Sequence, residues 1–107
     1  MFKLKSKRLG AELEVKELLQ EDLVRYYDVM RQERAEITKE KGEGFLLSSP
    51  EQYALICKVA LRAGIVKFTP HFEADAIPAQ KGRVISFFGK ALLRHLTEVL
   101  DFPKDIS

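Results

Sequence analysis

Within the first 20 residues the apolar periodicity changes from two to about 3.6. That switch confines the chain to folds that combine a small antiparallel sheet with helices. Phe2 and Leu4 alternate with Lys3, Lys5 and Lys7; after a turn near Arg8–Gly10, Ala11, Leu13 and Val15 alternate with Glu12, Glu14 and Lys16. Both arms read as half-buried strands of a β-hairpin over residues 1–16. Pairing positions whose numbers sum to 17 sets Phe2 opposite Val15 and Leu4 opposite Leu13 on one face. The other face then holds Lys3 opposite Glu14 and Lys5 opposite Glu12. Opposite charges facing across a ladder contribute about 0.2–1 kcal/mol per pair. A two-residue slip preserves both faces, so the pairing pattern alone leaves the register open.

Three helices are expected after the hairpin. In and just before residues 20–40, Leu19, Leu23, Tyr26, Tyr27, Met30 and Ile37 share an arc of about 100°. Past Met30 nearly every residue is polar, so the second half of this helix is expected to protrude or fray. Ser49-Pro50-Glu51-Gln52 supplies an N-cap serine, a proline at the first helical position and a glutamine at the capping-box position. The helix it starts runs over residues 50–63 and ends at Gly64, a left-handed C-cap position with Ile65 as its apolar contact. Only Glu51, Lys58 and Arg62 mark a polar face, which makes this helix the central, most buried element. Residues 65–73 suit an extended edge segment limited by Pro70, and the last helix is expected over residues 78–100, stopped by Phe102-Pro103. The expected architecture is therefore α+β: an N-terminal β-hairpin packed on three α-helices in a single domain spanning residues 1–107.

Composition narrows the function. Of 107 residues, 46% are hydrophobic and 32% charged, enough to bury one core and solvate its surface, which excludes a disordered chain. Eighteen Lys+Arg against 16 Asp+Glu leave +2, too balanced for a chain that lives on phosphate backbones. The charge is nonetheless segregated: residues 1–10 carry four bases and no acid, residues 11–44 ten acids and six bases, and residues 45–107 eight bases and six acids. No apolar run approaches the roughly 20 residues of a membrane span. The basic start lacks the apolar segment of a secretory signal, and the single cysteine, Cys57, suits a reducing compartment, so a cytoplasmic location is expected.

No residue pattern announces a reaction. His71 and His95 lie 24 apart without an HxxxH or CxxC partner, so neither metal nor cofactor is expected. His95 falls on the apolar arc of the last helix and reads as a neutral core or interface histidine. Cys57 reads as a buried, inert thiol. The strand carboxylates Glu12 and Glu14 face lysines and form a charge ladder, not a catalytic pair. GxSxG, P-loop and dinucleotide motifs are absent, and Gly42-Glu43-Gly44 lacks the spacing of a phosphate cradle. No enzymatic activity and no small-molecule ligand are expected.

The last helix carries the strongest pointer to a surface. Val84, Ile85, Phe88, Ala91, Leu92, Leu93, Leu96, Val99 and Leu100 spread over about 200°, twice what one core contact needs. Gly82 and Gly89 lie at one margin, and a helical glycine costs about 1 kcal/mol against alanine. Gly89 then either allows close packing on the 50–63 helix or opens a docking face. The candidate partner-binding residues are Phe87, Phe88, Leu92, His95 and Leu96, with Arg83, Lys90 and Arg94 as a basic rim, and the polar extension after Met30 alongside. A competing expectation is a nucleic-acid-binding accessory protein whose basic face joins Lys3, Lys5 and Lys7 to Arg83, Lys90 and Arg94. Lysines on an edge strand also serve simply to block unwanted pairing.

The lysine-rich hairpin leading into Glu17-Leu18-Leu19-Gln20-Glu21-Asp22-Leu23 and a compact helical body resembles the small tail assembly chaperones of long-tailed phages and related prophage proteins. The run Ile77-Pro78-Ala79…Val84…Leu92…Glu98, ending in Phe102-Pro103-Lys104, is similar to segments of such small phage proteins. The resemblance covers most of the chain in architecture and rests on no invariant motif. It implies a non-enzymatic assembly factor in the host cytoplasm that binds the tape-measure protein before the tail tube forms; independently of the resemblance, a protein-binding factor is expected to show an apolar groove or flank and to self-associate or bind a helical segment. The resemblance transfers no catalytic residue and no defined contact.

Overall fold

The computed structural model describes residues 2–7, 10–69 and 82–99, with the side chains of Phe2, of residues 82–84 and of Val99 outside the description. The elements run β1 (Phe2–Ser6), β2 (Ala11–Val15), α1 (Gln20–Lys41), α2 (Ser49–Arg62), β3 (Val66–Thr69) and α3 (Gly82–Val99). The fold is α+β, as the change of period demands. The hairpin register is the one in which Leu4 faces Leu13 and Lys3 faces Glu14. β3 adds antiparallel to β2, so β2 is the middle strand of three, and Val15 meets Val66 while Leu13 meets Phe68. Period two then sorts the side chains. Leu13, Val15, Val66 and Phe68 are buried against the helices, whereas Lys3, Lys5 and Lys67 are exposed on the opposite face. There Lys3 Nζ lies 3.4 Å from Glu12 and 3.6 Å from Glu14, so one lysine serves both carboxylates in place of the expected Lys5–Glu12 pair.

α2 is the hub. Leu55, Ile56, Cys57, Val59 and Ala60 are all buried, because the helix packs against α1, α3 and β3. Its N-cap is Ser48, one residue before the expected Ser49, and Pro50 takes the second helical position. The shift has a chemical reason. The Glu51 carboxylate accepts from the Ser48 N–H at 3.0 Å while the Ser48 hydroxyl accepts from the Glu51 N–H. A carboxylate suits a helix N-terminus better than the amide of Gln52, which donates to the Leu47 carbonyl instead. At the other end Gly64, at φ +74°, donates to Leu61, and Ile65 donates to Ala60. That is the double bond of a Schellman stop, with the apolar Ile65 fully buried behind it.

The polar half of α1 corrects an expectation, because it neither frays nor stands clear. The helix continues to Lys41, and Glu33 is buried on it, held 3.1 Å from Lys58 and hydrogen-bonded by Arg62 of α2. Nearer its start, Asp22 is buried and accepts from the Leu19 N–H at 3.0 Å, from Lys16 at 3.1 Å and from Arg25 at 2.7 Å. Arg25 also donates to the Ala63 carbonyl at 2.7 Å, tying the start of α1 to the end of α2. Charge thus docks α1 where apolar periodicity fades.

Candidate docking cleft

α3 crosses α2 at Gly89. A Cβ placed there would come within 2.5 Å of the Tyr53 carbonyl oxygen and 2.6 Å of Tyr53 Cβ. Of the two roles open to Gly89, close packing is the one the structure shows. That approach presses one side of α3 into the core and divides the wide apolar arc. Ile85, Phe88, Leu92 and Leu96 are buried beneath it. Phe87 and Leu93 are left 43% and 44% exposed.

Three of the residues assigned to the surface therefore belong to the core: Phe88 and Leu92 are fully buried and Leu96 is 3% exposed. They cannot meet a partner in the folded monomer. Periodicity counts apolar positions without distinguishing those that face the chain's own core from those that face outward. Phe87, Lys90, Arg94 and His95 do come together, along a cleft of about 820 Å³. Its walls include Leu4 from β1, Tyr53 from α2, and Ala91 and Leu93 from α3. Leu4 and Tyr53 had no place in the expected site. Their signal was faint: each simply lies on the apolar side of its own element. The Arg83 side chain, like the whole of His71, lies outside the description.

An aromatic row backs the cleft. Phe68 of β3 meets Phe88 edge-on at 5.8 Å, and Phe88 meets Phe87 edge-on at 5.4 Å. The exposed ring is thus seated on one buried ring, Phe88, which is itself braced by Phe68, and Phe87 is held in place without self-burial. Arg94 Nε lies 3.6 Å from Glu98. His95 is half-buried, and loss of water lowers its pKa while Glu98 pulls the other way. The imidazole is therefore neutral at pH 7, and the cationic charge of the cleft comes from Lys90 and Arg94.

The hairpin lysines do not extend this rim. Leu4 lines the cleft, so its strand neighbours Lys3 and Lys5 project from the other face of the sheet, where Lys3 is paired with Glu12 and Glu14. Cys57 is fully buried, and burial pushes its thiol up to about 12; its sulfur contacts the Ile85 carbonyl at 3.7 Å. Among the described residues no three His, Cys, Asp or Glu side chains are grouped to hold a metal ion, and no helix is long and apolar enough to cross a membrane. Protein-family models, curated proteins and solved structures yield no match to the chain.

Proposed function

We propose that this chain is a non-enzymatic protein-binding factor whose α3 cleft receives an apolar helical segment with acidic flanks. The observation that carries this is Phe87, 43% exposed yet braced by Phe88, in a cleft that also holds Lys90 and Arg94. An aromatic anchor with a charged rim is the composition of an interface centre, and a groove along a helix fits helix-in-groove recognition. The resemblance to phage tail assembly chaperones supplies the finer version. In that version the segment belongs to a tape-measure protein and is held in the host cytoplasm until the tube forms around it.

The test uses a fluorescent synthetic helix with leucines at i, i+3, i+4 and i+7 and glutamates on both flanks. It should bind the wild-type chain, and Phe87→Ala should weaken binding by roughly tenfold or more while leaving the melting temperature nearly unchanged. For the finer version, the tape-measure protein should co-purify with this chain when the two are co-expressed. The nucleic-acid alternative makes a different prediction, tighter binding to duplex DNA than to peptide with affinity falling steeply in salt. That result would overturn the proposal.

A further inference from the structure

β2 is the middle strand of the sheet, so β1 has a strand neighbour on one side only among the described residues. The main-chain groups of an antiparallel strand point alternately to its two sides. One bond fixes which way they point in β2: the Lys16 N–H donates to the Ile65 carbonyl at 3.0 Å, toward β3. Counting back in twos along the register, Glu14 and Glu12 also turn their main chain to β3, while Leu13 and Val15 turn theirs to β1. Their partners Leu4 and Phe2 therefore carry the hairpin's ladder bonds. Lys3 and Lys5 alternate with them and aim their N–H and C=O groups out of the sheet, where no strand meets them among the described residues.

The side chains along that edge limit what can pair with it. Lys3 already serves Glu12 and Glu14. Lys67 stands opposite Glu14 on the same face. Lys5 is exposed and has no carboxylate partner among the described residues, and the exposed Lys7 follows it. The surplus charge of this face is therefore cationic and lies on β1. A second copy pairing edge to edge through β1 would set lysine against lysine, which is destabilising. A strand with acids opposite those lysines gains where the second copy loses. β1 already holds such a strand on its other side: β2 reads Ala11-Glu12-Leu13-Glu14-Val15, acidic and apolar in alternation.

We infer that the outer edge of β1 binds an extended segment of another protein in which acidic and apolar residues alternate, adding it to the sheet as a further strand. The main chain of Lys3 and Lys5 supplies the hydrogen bonds, and their side chains select acids on the incoming strand. The apolar residue between those acids falls beside Leu4. The lysines that turn away a second copy thus admit this partner, so one feature serves both exclusion and recognition. The site is made by the main chain and lysines of β1, and it goes beyond the helix-binding cleft, with which it shares only Leu4.

Amide hydrogen exchange read residue by residue tests it, with a short fluorescent peptide of alternating valine and glutamate as the probe. Saturating peptide should slow exchange at the Lys3 and Lys5 amides roughly tenfold or more and leave Leu4, whose amide is already in the ladder, unchanged. Replacing the peptide's glutamates with lysines should weaken binding roughly tenfold. Lys5→Glu should weaken binding of the glutamate peptide and bind the lysine peptide better than wild type does. The peptide reversal leaves the protein untouched, so it decides the matter even if Lys5→Glu disturbs the hairpin. A glutamate peptide methylated on the amide nitrogens that face β1 should not bind. Lys3 and Lys5 amides that keep their free rate, or equal binding of the glutamate and lysine peptides, overturn the inference and leave the lysines as guards of the edge. The glutamate-flanked helix reports separately on the cleft. Helix binding with no strand-peptide protection at Lys3 and Lys5 removes only the edge site, whereas strand-peptide protection without helix binding upholds the edge site and removes only the cleft.

Discussion

At the scale of single residues, three positions are over-determined by their surroundings. Gly89 has no room for a methyl group against the Tyr53 backbone. Alanine would regain about 1 kcal/mol of helix propensity but must push two helices apart, and overpacking of that kind costs about 1–3 kcal/mol. Gly89→Ala should therefore lower stability in a urea titration, despite its better helix propensity. Cys57 is sealed in the core, with its thiol pushed up to about 12 by burial. A thiol-specific reagent at pH 8 should leave the native protein unlabelled and modify one thiol once urea unfolds it, because the reactive species is the thiolate. Asp22 is the third. The Leu19 N–H bonded to its carboxylate holds its pKa below the usual range, with Lys16 and Arg25 adding to the effect and burial opposing it. A depressed carboxylate pKa contributes stability that is fully present above the unfolded value, about 3.9, and is lost as pH falls through the folded value. Asp22→Asn should accordingly be less stable than wild type at pH 7. The gap should narrow below about pH 4, read from urea midpoints at each pH. An unchanged gap down to pH 2 would show that the charge of Asp22 is not what docks the start of α1.

At the scale of elements, the hairpin and α2 were legible because their information is local. Alternation, opposite charges and the Gly64–Ile65 stop each act within a few residues, and the two faces of the hairpin and the C-terminus of α2 follow from them, while the choice among registers that share those faces came from the structure. The N-cap moved by one residue, from Ser49 to Ser48, because two overlapping capping boxes competed and the carboxylate of Glu51 was the better partner. α1 shows where local information ends. Its apolar stripe thins after Met30, and the residues that dock it, Glu33 to Lys58 and Arg62, are 25 and 29 positions apart in the chain. No periodicity can reveal a pairing between two helices. The same holds for Arg25 and the Ala63 carbonyl. α3 is the intermediate case, since its breadth of apolar surface was plain and the division of that surface was not.

At the scale of the whole molecule, one core serves three helices and a sheet, and the aromatic row Phe68–Phe88–Phe87 links that core to its surface. Neighbouring phenylalanines should then behave oppositely. Phe88, fully buried, should cost about 3–5 kcal/mol when truncated to alanine. Phe87→Ala should leave the monomer close to wild-type stability and act on binding alone. Thermal and urea unfolding of the two variants side by side would decide it; equal losses would make Phe87 an ordinary part of the core and leave α3 with no spare face.

The amino-acid sequence by itself determined the α+β class, the two faces of the hairpin and the stop of α2, because short-range sterics, hydrogen bonding and side-chain alternation act between near neighbours; the structure then selected, of the registers that keep those faces, the one that sets Leu4 opposite Leu13. Tertiary structure alone decided which half of the α3 arc is core, that Leu4 and Tyr53 wall the cleft, and that the hairpin lysines lie on the far side of the sheet from Lys90 and Arg94. Those outcomes depend on the backbone approach at Gly89, where α3 meets α2 closely enough to exclude a single methyl group. An approach of that kind is set by how two surfaces fit, and a surface exists only once the chain has folded.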